Sequence, residues 1–154
     1  MDVFISDNVT SSMIEETYSD KYIISCIEYD SSTPSYIDHH LAKYYSAWHN
    51  NTFLGLILCV RYNKYEIEMH SLLKKESIPY SREVGKLIIE EMFGDQDILR
   101  ITAPVQGNLK STMNFLEKIG FVKEGIKKDA IIKKEIVTDM HIYGITKTKW
   151  KDFK

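Results

Sequence analysis

Residues 108–125 read NLKSTMNFLEKIGFVKEG, and the change of period within this stretch decides how the chain folds. Leu109, Met113, Leu116 and Ile119 recur at helical spacing and build one apolar stripe. Asn108 stands at an N-cap position, where a short polar side chain accepts from a first-turn N–H. Gly120 fits the left-handed position that ends a helix, and Phe121 closes an apolar contact onto the last turn. Lys118 lies in that turn, where a cation is favoured. The chain then continues directly as strand.

Beyond this junction, strands are expected over 121–133 and 136–147, with Lys134-Glu135 at a hairpin turn that often carries glycine. The tail ITKTKWKDFK is expected as a frayed last strand. Upstream, Ile98–Ala103 reads as a strand closed by Pro104. Before it, Ser81 is placed as N-cap of a helix with Glu83 in its first turn and Val84, Leu87, Ile88 and Met92 at helical spacing, ending near Gly94. TFLGLILCV, from Thr52, is continuously apolar, as a central strand covered on both faces would be. In KYEIEMHSLL, Tyr65, Ile67 and Met69 face one way and Glu66, Glu68 and His70 the other, so 52–72 reads as a hairpin turning at Asn63-Lys64. Ile37–Tyr45 is expected to be helical, entering a strand near Trp48, with a turn at Asn50-Asn51. Ser31–Ser35 reads as a loop around Pro34, and Met1–Ile5 as a first strand. Ser11–Tyr29 is either one helix or a helix and a strand, because Tyr22-Ile23-Ile24 blurs the period. Strands that come first as a hairpin and then alternate with helices imply an α/β or α+β fold on a mixed sheet.

The 154 residues suit one domain, 1–154. With 44% hydrophobic and 27% charged residues they are expected to form an ordinary globular core. A net charge of −2 is no nucleic-acid footprint. Cys26 and Cys59 sit in apolar runs outside any C-x-x-C pair and read as buried, reduced thiols rather than a disulfide. The N-terminus lacks the pattern of a signal peptide, and the longest apolar run, Phe53–Val60, is far shorter than the ~20 residues needed to span a bilayer, so a cytoplasmic protein without membrane contact is expected.

In order along the C-terminal half stand Asn108, Ser111, the FLEKIGF run from Phe115 to Phe121, Glu124-Gly125, Asp139, Tyr143-Gly144 and Trp150. This set resembles the GNAT superfamily of N-acetyltransferases, and within it the branch that acetylates protein N-termini, such as ribosomal-protein alanine acetyltransferases. The resemblance implies a central sheet of about six to seven strands flanked by helices and splayed between the fourth strand, near His70, and the fifth, near Ile101. It implies acetyl-CoA as cofactor and a protein or small-molecule amine as acceptor. The family's phosphate cradle, Q/R-x-x-G-x-G/A, has its nearest literal match in Arg82-Glu83-Val84-Gly85-Lys86-Leu87. That register would leave only a short helix and forfeit the Ser81 cap. The other register puts the cradle on Ser77-Ile78-Pro79-Tyr80, which has no glycine and, at Pro79, no N–H. A damaged cradle also resembles small GNAT-like proteins of tailed bacteriophages. That likeness implies a non-catalytic binding or structural module, a virion or host-interaction protein with a protein assembly partner, as the alternative to an enzyme. A homodimer through paired edge strands is compatible with the pattern.

Glu66, Glu68 and His70 are the candidate catalytic bases, set against the plainer reading of a solvent-facing strand row. Met69, Ser71, Leu72, Ser81, Arg82 and Asn108 are the candidate cofactor contacts; for Ser81, Arg82 and Asn108 the plainer reading is helix capping and solvated charge. Leu116 stands where many family members carry a tyrosine acid. His39, His40 and His49 show no metal-ligand spacing, and no metal is expected.

Overall fold

The structure, a computed structural model, describes residues 2–32 and 34–154; Met1 of the expected first strand and Thr33 of the expected 31–35 loop lie outside them. In chain order the elements are β1 (Val3–Ser6), α1 (Ser11–Ser19), α2 (Lys21–Ile27), β2 (Ala42–His49), β3 (Thr52–Asn63), β4 (Glu66–Leu73), a 3₁₀ helix (Lys75–Tyr80), α3 (Ser81–Phe93), β5 (Arg100–Gln106), α4 (Lys110–Lys118), β6 (Val122–Lys133), β7 (Ile136–Thr146) and α5 (Lys147–Phe153). The seven strands form one sheet in the order β1-β2-β3-β4-β5-β7-β6. β4 and β5 are parallel and every other neighbouring pair is antiparallel.

Two layers cover the sheet. On one face Val84, Ile88 and Ile89 of α3, Met113 and Leu116 of α4 and Trp150 of α5 pack onto Ile57, Met69, Ile101 and Tyr143. On the other, Ile23 of α2, with Met13 and Ile14 of α1, packs onto Tyr44, Leu56, Leu58 and Leu72. Strands covered on both faces lose their alternation, which is why Tyr44–Ala47 is buried without a break and TFLGLILCV is apolar throughout. The expected helix over 37–45 is therefore corrected: β2 begins at Ala42, its tyrosines pair with β3, and Trp48 pairs between β1 and β3.

The 11–29 segment resolves into two helices. Asp20 separates them: its N–H bonds Thr17 O at 3.3 Å, and its side chain accepts from Ile23 N–H at 3.0 Å to cap α2. Packing of Ile23 into the second core overrides its β-branched preference.

The helix-to-strand junction is as the sequence implies. Gly120 has φ +107, its N–H bonds Glu117 O at 3.2 Å, and Phe121 N–H bonds Leu116 O at 3.0 Å. These are the two bonds of a Schellman motif. Four expectations nearby are corrected. Asn108 is exposed and does not cap α4, whose N-cap is Leu109. Ser81 is the first helical residue, with Tyr80 as N-cap and the Ser81 hydroxyl donating to Ile78 O at 3.0 Å, because the 3₁₀ helix runs straight into α3. Pro104 lies within β5 rather than closing it. The tail is a helix, capped by Thr146 accepting from Lys149 N–H at 3.1 Å and held by buried Trp150, whose indole N–H donates to Glu90 at 3.1 Å.

Both cysteines are free, Cys59 buried and Cys26 half-buried. No helix among the described residues is long and apolar enough to cross a membrane.

Candidate active site

β4 and β5 pair only over Glu66–Glu68 and Arg100–Thr102. Beyond that the strands part, although β4 continues to Leu73 and β5 to Gln106. The direction of the exposed backbone follows from strand alternation. Lys74 N–H bonds Leu54 O at the β3 side, so the even-numbered residues of β4 address β3. Met69 N–H closes the last paired rung on Thr102, and the C=O of Met69 and the N–H and C=O of Ser71 consequently face the gap. On the opposite wall Gly107 N–H bonds Asp139 O of β7, which turns the nitrogen of Pro104 toward the gap. A proline is tolerated there because no partner strand asks for its N–H. One wall of the gap thus offers a backbone donor at Ser71 and acceptors at Met69 and Ser71, while the facing wall lacks a donor at Pro104.

The gap widens into a cleft of about 340 Å3, floored by Glu68–Ser71 and Ala103–Gln106, walled on one side by Leu109, Thr112 and Phe115 of α4 and on the other by Cys26 and Ile27 of α2. A smaller cavity of about 150 Å3 adjoins it, sharing Cys26, Ser71, Thr112 and Phe115. Its outer part is hydroxyl-rich, with Ser77, Ser81 and Ser111 beside Lys74. Lys74 Nζ is engaged by Glu16 at 2.6 Å, with Lys74 mostly buried and Glu16 half exposed.

His70 Nε2 and Glu68 Oε1 are 2.8 Å apart in the cleft, each side chain about one-third exposed at 33% and 31%. The hydrogen bond from His70 holds the Glu68 carboxyl below its ordinary value, against partial burial, which acts the other way. With Glu68 ionised, Nε2 carries the proton it donates; in the neutral ring the lone pair of Nδ1 is then left as acceptor.

The other sequence candidates divide. Glu66 shares the strand face but sits at the closed end of the gap, accepting from the Thr102 hydroxyl at 2.6 Å and lying 3.7 Å from Arg100 Nε; it is not brought to the cleft. Arg100 in turn pairs with Glu124, so this end is an ion-pair network behind the site. Met69 and Ser71 line the cleft, whereas Leu72 is buried in the α1–α2 core with its backbone toward β3. Ser81 lines the smaller cavity. Arg82 and Asn108 line neither cavity. Gly85 is no cradle residue: it lies inside α3, where a Cβ would meet Ile119 Cδ1 at 2.7 Å and Phe115 Cζ at 3.0 Å, so it serves the close approach of α3 to α4. The other expected register, Ser77–Tyr80, lies in the 3₁₀ helix, which carries Pro79.

Sequence reasoning missed Cys26, Gln106, Thr112 and Phe115 as cleft residues. Thr112 and Phe115 were legible as the α4 face flanking its apolar stripe, whereas nothing local marks Cys26, which reaches the cleft only through the packing of α2. Among the described residues no cluster suited to a metal ion occurs.

Residues 12–142 match the family model described as an acetyltransferase (GNAT) domain. No curated protein matches the chain by sequence. Among solved structures, that of spermidine N-acetyltransferase from Vibrio cholerae in complex with CoA and spermine superposes with a TM-score of 0.80 at 14% identity, covering 97% of this chain and 98% of that one. Ribosomal-protein-S5-alanine acetyltransferase from Vibrio fischeri superposes with a TM-score of 0.76 at 18% identity, covering 96% and 94%. At such identities the likeness is one of fold.

Proposed function

The chain belongs to the GNAT acetyltransferases, and from that premise we propose that it transfers an acetyl group from acetyl-CoA to a primary amine at the β4–β5 cleft. The observation that carries this reading is the unpaired edge that runs from the Met69 carbonyl through Ser71 beside the Glu68–His70 pair. An extended amide-bearing arm laid along that edge is bound as an added strand would be, by backbone N–H and C=O groups that have no other partner.

When bound in the cleft, acetyl-CoA would supply an activated acyl thioester to an amine, with coenzyme A released as the thiol. His70 accepts the proton leaving the amine on Nδ1, and Glu68, bonded to the opposite ring nitrogen, orients the ring. Thr112 and Phe115 keep the arm against β4, and Ser77 and Ser81, beside Lys74, form the phosphate end. Asn108, exposed just ahead of α4, is assigned no more than a peripheral contact with the arm. Glu66 acts indirectly, by fixing the paired end of the gap through Thr102.

A second reading, a GNAT-fold binding module without catalysis, is favoured by one observation: Pro79 sits in the 3₁₀ helix at the phosphate end, where it removes a backbone donor. Incubation with acetyl-CoA and an amine panel, with acetylated product followed by mass spectrometry, separates the two. Transfer by the native protein that falls at least about a hundredfold in His70→Ala supports the enzyme; coenzyme binding without transfer to any amine supports the module.

A further inference from the structure

His70 borders two cavities. One is the cleft; the other, of about 310 Å3, opens on the α1–α2 face of the sheet, where Tyr18, Ile27, Ile37, Leu58 and Leu72 surround the histidine. The pocket is held in shape by hydrogen bonds. Tyr18 and Tyr44 hydroxyls are 2.7 Å apart, Ile37 N–H donates to the Tyr44 hydroxyl at 3.1 Å, and Tyr36 stacks on Tyr44 with ring centroids 5.0 Å apart. Burial, reinforced by the Tyr44 hydrogen bond, pushes the Tyr18 phenol well up, so it stays neutral. The remaining polar lining is the serine pair Ser32 and Ser35.

No carboxylate lines this pocket among the described residues. Of the acids on the neighbouring segments, Glu68 is engaged by His70 and Asp30 by the backbone N–H groups of Lys134 and Glu135, while Glu28 and Asp38 flank Ile27 and Ile37 outside the lining. A polyamine such as spermine carries further ammonium groups beyond the reacting nitrogen. Desolvating them here without a counter-ion is strongly unfavourable. An uncharged body meets the apolar lining without that penalty, and a pocket of this size holds a side-chain-sized group.

We propose that this pocket receives the body of the acceptor, and that the acceptor is a small primary amine on an uncharged, largely apolar group, of the arylalkylamine class. The inference rests on the transferase reading above, since it is His70 that joins the pocket to the cleft.

The test is calorimetric titration of 2-phenylethylamine, spermidine and a short peptide beginning with alanine into the native protein, and into Ile37→Asp, which places a carboxylate on a side chain already 44% exposed. The native protein is expected to bind 2-phenylethylamine at least about tenfold more tightly than either competitor, and Ile37→Asp to shift the ratio toward spermidine by at least about threefold. Tighter binding of spermidine or the peptide, no heat from 2-phenylethylamine at millimolar concentration, or an unchanged ratio in Ile37→Asp would overturn the proposal. The amine is read without coenzyme, so the two readings fail separately. Acetyl-CoA binding with no amine heat removes the pocket assignment alone; amine heat with no coenzyme binding removes the transferase alone.

Discussion

The carboxylate of Asp30 accepts a hydrogen bond from the backbone N–H of Lys134 at 3.0 Å, across 104 residues of sequence. Its other oxygen accepts from Glu135 N–H at 3.1 Å, and Asp30 N–H returns a bond to Ile132 O at 2.7 Å. Lys134 and Glu135 have φ of 50° and 67°, the positive pair of a type I′ hairpin turn made without glycine. The turn is thus held from outside by the segment that follows α2. Asp30→Ala is expected to destabilise the fold by about 1–2 kcal/mol in urea unfolding, and Glu135→Gly in that background to recover part of the loss, because glycine adopts the turn unaided. An additive effect of the two substitutions would contradict the coupling.

Gly120 has φ +107, and a Cβ there would meet Ile145 Cδ1 at 3.1 Å and Phe153 at 3.2 Å. Gly120→Ala combines backbone strain with crowding of β7 and α5. It is expected to cost about 1–3 kcal/mol in chemical denaturation.

Glu68 titrates below its ordinary value because of the His70 hydrogen bond. A carboxyl depressed in the folded state contributes stability above its unfolded pKa of about 4.3, and that contribution is lost as pH falls through the depressed value. The stability gap between native protein and Glu68→Gln should therefore narrow between neutral pH and about pH 3. A gap independent of pH would show that Glu68 gains nothing from His70.

Burial pushes the Cys59 thiol up to about 12, whereas Cys26 lines the cleft. Native protein at pH 8 should therefore react with iodoacetamide at Cys26 and not at Cys59. Acetyl-CoA should slow the reaction at Cys26. Labelling at equal rates with and without coenzyme would place the arm elsewhere.

The sequence made the fold legible where glycine, periodicity and motif agreed, as at Gly120 and over KYEIEMHSLL. It misled where tertiary partners set local structure. Tyr44–Ala47 is buried on both faces and so carries no strand alternation. Ile23 and Ile24 are helical because α2 packs on the second core. Ser81 has the residue type of a cap, but a 3₁₀ helix arrives in its place. In the candidate site, the β4 row put Glu68 and His70 on one face, and their hydrogen bond follows from strand spacing. The separation of Glu66 depends on where β5 stops pairing, which no residue of β4 encodes. Pro104 reads locally as an end to the strand; its physical meaning, a missing donor at a parted edge, needs the β7 register.

The account depends most on whether the parted strands hold the coenzyme. Calorimetric titration of the native protein with acetyl-CoA tests this directly. Binding in the micromolar range, lost or weakened at least about tenfold when Ser71→Pro removes a backbone donor facing the gap, is the predicted result. No heat at millimolar acetyl-CoA would contradict it.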